Sequence, residues 1–140
     1  MTRSDYESGT KVSGGFDVLT NPENLQSSSK DGPSPYYYYL GGTSTVELEN
    51  KDISNGSLLV IKDSFSNAML PFLSLSAGHI TAWDMRENKG VYTYLDRHPE
   101  IKTVMIAYTI SFVPTSFMND FQREDTEQTD SSSGSAGSSS

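Results

Sequence analysis

Four consecutive aliphatic residues, Leu58-Leu59-Val60-Ile61, constrain this chain more than any other stretch of it. An unbroken apolar run leaves no side for water, so as a strand it must be covered on both faces, the condition of a parallel sheet with helices above and below it. Two further runs follow at helical separation, His79-Ile80-Thr81-Ala82-Trp83 and Thr103-Val104-Met105-Ile106-Ala107-Tyr108. Between the first two, Ser66 to about Leu75 carries Ala68, Met69, Phe72, Leu73 and Leu75 at helix-compatible spacing, and Pro71 demands a kink or a start near Leu70. Gly90 to about Asp96 offers a second, shorter helix. The order β-α-β-α-β, with right-handed crossovers, predicts an α/β three-layer sandwich fragment built on a parallel sheet.

The flanks read differently. Tyr36-Tyr37-Tyr38-Tyr39-Leu40 is an aromatic strand candidate stopped by Gly41-Gly42, and Thr43 to Leu48 alternates weakly after it, so the pair is expected to form a short β-hairpin ahead of the sheet. Packing of alternate faces explains the tyrosines better than a carbohydrate platform does. Ser27 to Pro35 is a loop by composition. The chain thus divides into a loop-rich segment 1–35, an α/β region 36–119, and a tail 120–140 that is acidic and then rich in Ser and Gly, expected to be flexible.

Charge follows the same division. Residues 1–50 hold three basic and seven acidic groups, 51–119 six and six, and 120–140 one and five, so the net −8 belongs to the flanks. A negative field repels phosphate and excludes nucleic acid as the expected partner. The absence of Cys removes disulfides, thiolate metal sites and cysteine nucleophiles. No run reaches the ~18 apolar residues of a membrane span, and no apolar stretch follows the polar start as in a signal peptide, so no membrane contact is expected from this chain.

In open α/β sheets ligands bind outside the carboxyl ends of the strands. That rule selects Asp63, Ser64 and Asn67 after the first strand, Asp84, Arg86 and Asn88 after the second, and Thr109 and Ser111 after the third. Ser64 then lies in a strand-to-helix turn, where a nucleophile and backbone N–H donors for an oxyanion can meet. A serine there is most often a helix cap, and Ser66 would serve equally. Asp84 and Arg86 are read first as a pair that fixes its own turn. His79 opens the second strand and His98 ends the second helix, so both belong to the other edge, ~16 Å away along a five-residue strand and far outside the reach of a general base. Two carboxylates, Asp63 and Asp84, without a nearby His make no persuasive metal site, and no cofactor is expected. A phosphate or nucleotide site is disfavoured by the lack of Gly-x-Gly-x-x-Gly and of a P-loop lysine.

The segment Ser57-Leu-Leu-Val-Ile-Lys-Asp-Ser64-Phe-Ser-Asn67-Ala-Met-Leu-Pro-Phe-Leu73, followed by Trp83-Asp84-Met85-Arg86, resembles the C-terminal portion of the DHHW proteins of Firmicutes, which are similar to SGNH hydrolases and alginate O-acetyltransferases. Tyr38-Tyr39-Leu40-Gly41-Gly42 resembles the piece that precedes the Asp-Ser strand there, so the likeness runs from about Tyr36 to Phe112. The resemblance implies a flavodoxin- or SGNH-like fold, with Ser64 at the nucleophile position, Asn67 beside it, and Asp84 and Arg86 at the Asp-x-Arg. Lys62 stands where SGNH enzymes have the Gly of Gly-Asp-Ser. The Asp-His-His-Trp motif has no counterpart in residues 1–35, which leaves two readings, a part of a longer protein or a degenerate paralogue.

The expected function is therefore the C-terminal part of a serine-dependent O-acyl ester hydrolase or transferase acting on cell-surface glycan, almost inert alone. Its implied partners are an O-acetylated polysaccharide or acyl donor and a missing N-terminal half from a longer precursor, and the implied location is extracytoplasmic. The alternative is a non-catalytic glycan-binding or structural module of the cell surface.

Overall fold

Six strands form one mixed sheet in a computed structural model of the chain, which describes residues 1–6, 8–26, 38–40, 44–113, 115 and 117–121. They are β1 (Thr2–Asp5), β2 (Lys11–Ser13), β3 (Val46–Glu49), β4 (Ser57–Lys62), β5 (His79–Asp84) and β6 (Thr103–Ala107), in the order β2-β1-β3-β5-β4-β6. The β-α-β-α-β unit expected from the apolar runs is present, and β4 pairs in parallel with both β5 and β6. Three antiparallel pairings, β1 with β2, β1 with β3 and β3 with β5, extend the sheet on the other side.

The continuous apolar run behaves as its composition demands. Val60 faces a core of Leu19, Leu40, Val46, Leu48, Leu70, Ile80 and Ala82, whereas Leu59 and Ile61 face a second core with Trp83, Met85, Val91, Ile101, Phe117 and Phe121. Leu59, Val60 and Ile61 are all fully buried, and each contributes about 1.5–3 kcal/mol from transfer out of water. The short helices supply the covering layers. Ser64–Met69 is a 3₁₀ segment that passes into an α-helical turn, Leu70–Leu73, with Pro71 in its first turn, so the proline sets a late helix start rather than a kink. Val91–Arg97 covers the other face and begins after Gly90, whose φ of 72° is one that a residue with a Cβ adopts only at a cost.

The hairpin expected from the tyrosine run lies elsewhere. Val46–Glu49 has both edges occupied, by β1 and β5, so it does not pair with residues 38–40, and the hairpin among the described residues is β1–β2. Tyr39 instead forms a single bridge with Thr20. Tyr38 and Tyr39 pack edge to face, Tyr39 packs on Phe72, and Phe72 on Phe16 at 5.8 Å. Rings inclined at 53–80° to one another are packed as a core rim and offer no flat stacking platform. Tyr36, Tyr37, the Gly41-Gly42 stop, the loop Ser27–Pro35 and the tail from 122 onward lie outside the described residues.

Candidate functional site

At the carboxyl end of β4 the chain leaves the sheet through Asp63 and enters the 3₁₀ segment at Ser64. Asp63 is the cap: its backbone is extended and its Oδ1 accepts the Phe65 N–H at 3.0 Å, with the Ser66 hydroxyl at 3.5 Å. Its Oδ2 accepts the Thr109 N–H from beyond β6 at 2.7 Å. The Ser66 hydroxyl donates to Ala107 O at 2.5 Å and the Asp63 N–H to the same oxygen at 3.4 Å, so the turn is fastened to the end of β6. Burial pushes the Asp63 carboxyl up, but the Thr109, Phe65 and Ser66 donors outweigh it and hold the group below the usual carboxylate range. Because Asp63 fills the cap, the role open to Ser64 or Ser66 on sequence grounds is already taken. Ser64 is partly exposed, and its hydroxyl makes no hydrogen bond among the described residues.

At the end of β5, Asp84 is wholly buried and its carboxylate is filled from both sides. Oδ1 accepts the Arg86 N–H at 3.0 Å and Nε at 2.9 Å, and Oδ2 accepts Nη2 at 2.5 Å in a fork that leaves the Arg86 side chain mostly in solvent. Asn88 closes the same turn, donating to Thr45 Oγ1 at 2.6 Å and to Asp84 O. Lys62, directly across the parallel register from Asp84, brings Nζ to 3.7 Å from Oδ2 with its side chain 0% exposed. Burial lowers the Lys62 ammonium to about 8; Asp84 opposes that shift and Arg86 reinforces it. For Asp84, burial raises the carboxyl, but the Arg86 hydrogen bonds and the Lys62 charge hold it low.

Past the end of β6, Thr109 contributes its N–H, whereas Ser111 is exposed in a 3₁₀ turn, Ile110–Phe112. Asn67, in the same 3₁₀ segment as Ser64, is buried. Both histidines sit at the opposite edge: His79 opens β5 beside Glu49, and His98 stacks on Tyr94 at 4.2 Å with Nδ1 3.0 Å from Glu100. A cleft of about 250 Å³ also lies at that edge, between Glu49, Asn50, Ser57 and His79. Among the described residues no three His, Asp or Glu side chains gather as metal ligands, and no helix is long and apolar enough to cross a membrane.

No protein-family model and no curated protein matches the chain. Solved structures do. Bacillus cereus PatB1 matches with a TM-score of 0.58 and 30% identity over 79% of this chain, and PatB1 with a sulfonyl adduct with 0.62 and 27% over 87%. A DHHW family protein from Eubacterium siraeum matches with 0.56 and 21% over 88%. The chain has a DHHW/PatB1-like fold. It spans 35%, 39% and 40% of the lengths of those three structures.

Within this DHHW/PatB1-like fold the sequence-selected residues divide into two groups. Asp63 and Ser64 form one turn, tied to Thr109, and Asp84, Arg86 and Asn88 form another, in which Asp84 and Arg86 pair as their spacing predicts and Asn88 donates to Asp84 O. Lys62 joins the two groups, and sequence reading noted it only as an odd substitute for Gly. A lysine ending an apolar strand usually reaches water. The available signal was its register with Asp84, which needs the strand pairing to be known.

Proposed function

We propose that this chain supplies the nucleophile-bearing part of a serine-dependent O-acyl ester hydrolase or O-acyltransferase, acting on an O-acetylated glycan outside the cytoplasm. The observation that carries the reading is the Ser64 turn: Asp63 takes the cap, so Ser64 stands partly exposed and unengaged at the carboxyl edge. The likeness to PatB1 supports an acetyltransferase-like fold. A sulfonyl adduct on PatB1 adds support, since such adducts form when a nucleophile displaces the leaving group of a sulfonyl reagent.

In this reaction Ser64 Oγ attacks the acetyl carbonyl carbon and its proton passes to a base. The carbonyl oxygen carries the negative charge until the ester C–O bond breaks and the alkoxide leaves with that proton. Water or a sugar hydroxyl then attacks the acetyl-serine and restores Ser64. Asp63 is a positioning residue, because its carboxylate is held by the Phe65 and Thr109 N–H groups, which lower its basicity. Neither histidine reaches Ser64, so the base comes from outside the described residues and the chain alone works slowly. Removal of a base from such a site costs several powers of ten.

The test is hydrolysis of p-nitrophenyl acetate by the 140-residue chain and by Ser64→Ala. A small wild-type excess that grows with pH is expected, since hydroxide must act as the base. Equal rates at every pH would overturn the assignment.

A further inference from the structure

Three side chains of complementary chemistry stand in one row across the amino edge of the sheet, at the opposite end from the Ser64 turn. His79 opens β5, with Glu49 of β3 as its register partner on one side and Ser57 of β4 on the other. Their chain neighbours Ile80, Leu48 and Leu58 pack in or against the first core, so by strand alternation His79, Glu49 and Ser57 share the other face. All three line the cleft of about 250 Å³ at this edge. Adjacent strands lie about 4.8 Å apart, a gap that an imidazole bridges to either side by turning about its own side-chain bonds. Among the described residues no hydrogen bond commits any of the three side chains elsewhere.

The wall of the cleft is firmly latched. The buried Asn50 side chain donates to Ser74 O at 2.8 Å and the Asn50 N–H to Gly78 O at 2.8 Å, while the Gly78 and His79 N–H groups donate to Asn55 O and Gly56 O at 3.0 and 3.1 Å. Position 78 requires glycine, since a Cβ there would stand 2.5 Å from Ile53 O. The loop 50–56 and the start of β5 thus hold one another, which keeps His79 between its two neighbours.

We propose that Glu49, His79 and Ser57 form a second hydrolytic centre, in which Ser57 is the nucleophile toward short acyl esters of polar alcohols. The spatial order carboxylate, imidazole, hydroxyl is what serine hydrolases of unrelated folds share, whatever the chain order. Ser57 Oγ attacks the carbonyl carbon while its proton passes to His79, and the Glu49 carboxylate steadies the imidazolium. Lys51, on the same wall, carries the positive charge that a developing oxyanion needs. When the ester C–O bond breaks, the alkoxide leaves with the proton from His79. Water then attacks the acyl-Ser57, passes a proton through His79 to Ser57 Oγ, and the carboxylic acid departs. Among the described residues Ile53 is the one aliphatic side chain on the wall, which suits an acetyl methyl, and the polar remainder suits a hydroxyl-bearing alcohol.

The experiment measures p-nitrophenyl acetate hydrolysis by the 140-residue chain carrying Ser64→Ala, with the unfolding midpoint as the check on folding. Hydrolysis above the buffer rate is expected, with the acetyl group located on Ser57 by peptide mass spectrometry. Adding Ser57→Ala or His79→Gln lowers the rate by about a hundredfold or to the buffer rate. Glu49→Gln lowers it about tenfold, Glu49→Asp recovers most of that loss, and His98→Gln leaves it unchanged. A rate indifferent to Ser57→Ala, or acetyl carried by His79 or Lys51 with Ser57 unmodified, overturns the centre. The role of Ser64 is read from the difference between wild type and Ser64→Ala, so either assignment can fail while the other stands.

Discussion

The Asp63 carboxylate accepts the Thr109 N–H at 2.7 Å, tying the residue that follows β4 to one two residues past the end of β6. The other carboxylate oxygen caps the 3₁₀ segment through Phe65. One side chain thereby ties the Ser64 turn to the chain beyond β6 and relieves the serine of capping. Asp63→Ala removes acceptors from two backbone donors and is expected to lower stability by about 2–4 kcal/mol in urea unfolding, with Asp63→Asn about half as damaging. A loss under about 0.5 kcal/mol would mean that the turn stands without it.

Acid should act on the same residues. Asp63 and Asp84 are both held below their ordinary value, so each stabilises the fold fully above the unfolded carboxyl range, and that contribution is lost as pH falls through the lower folded values. The thermal midpoint is expected to be flat down to about pH 5 and to drop below about pH 4, with a shallower drop in Asp63→Asn. A midpoint that rises on acidification contradicts the hydrogen bonding described.

Lys62 gives the opposite sign. Its folded value near 8 lies below the ordinary 10.5, so between those values the unfolded chain keeps a proton that the folded chain has lost, and stability rises with pH. The groups facing it are Asp84, Arg86 and Asp63. Tyr6, whose hydroxyl is pushed up by burial and by Glu47, works the other way above about pH 10, which sets the window at roughly 8 to 9.5. A urea midpoint that climbs across this window in wild type and stays level in Lys62→Met is expected. Lys62→Met itself is expected to be neutral or stabilising by about 1–2 kcal/mol at pH 7, since Arg86 still holds Asp84.

Asp84→Ala strands Lys62 in a buried position without its carboxylate and is expected to cost about 3–5 kcal/mol. Arg86→Ala leaves Asp84 with Lys62 and the Arg86 backbone N–H, and is expected to cost about 1–2 kcal/mol. The reverse ranking in chemical denaturation would place the dominant contact at the surface fork.

What was legible in the sequence was what a pattern of adjacent residues encodes. Leu58-Leu59-Val60-Ile61 announced a strand covered on both faces, Pro71 announced a kink or a late helix start, and Asp84-Met85-Arg86 announced a self-paired turn. Pairing between distant segments left no such trace: β1 and β2 are four and three residues long, too short for alternation to show, and Val46–Glu49 chose β1 and β5 over the tyrosines. The cap lies one residue before Ser64 and three before Ser66, because Asp and Ser compete on nearly equal terms for that position, and the Thr109 N–H from beyond the neighbouring strand β6 adds a bond that favours Asp63.

The role of Ser64 is tested most directly by treating the 140-residue chain with p-nitrophenyl acetate and locating the acetyl group by peptide mass spectrometry. Acetylation of Ser64 is expected, faster by about tenfold per pH unit between pH 7 and 9 because hydroxide is the base, and absent from that peptide in Ser64→Ala. Acetyl on Ser66 or on the tail serines with Ser64 unmodified would contradict the nucleophile assignment.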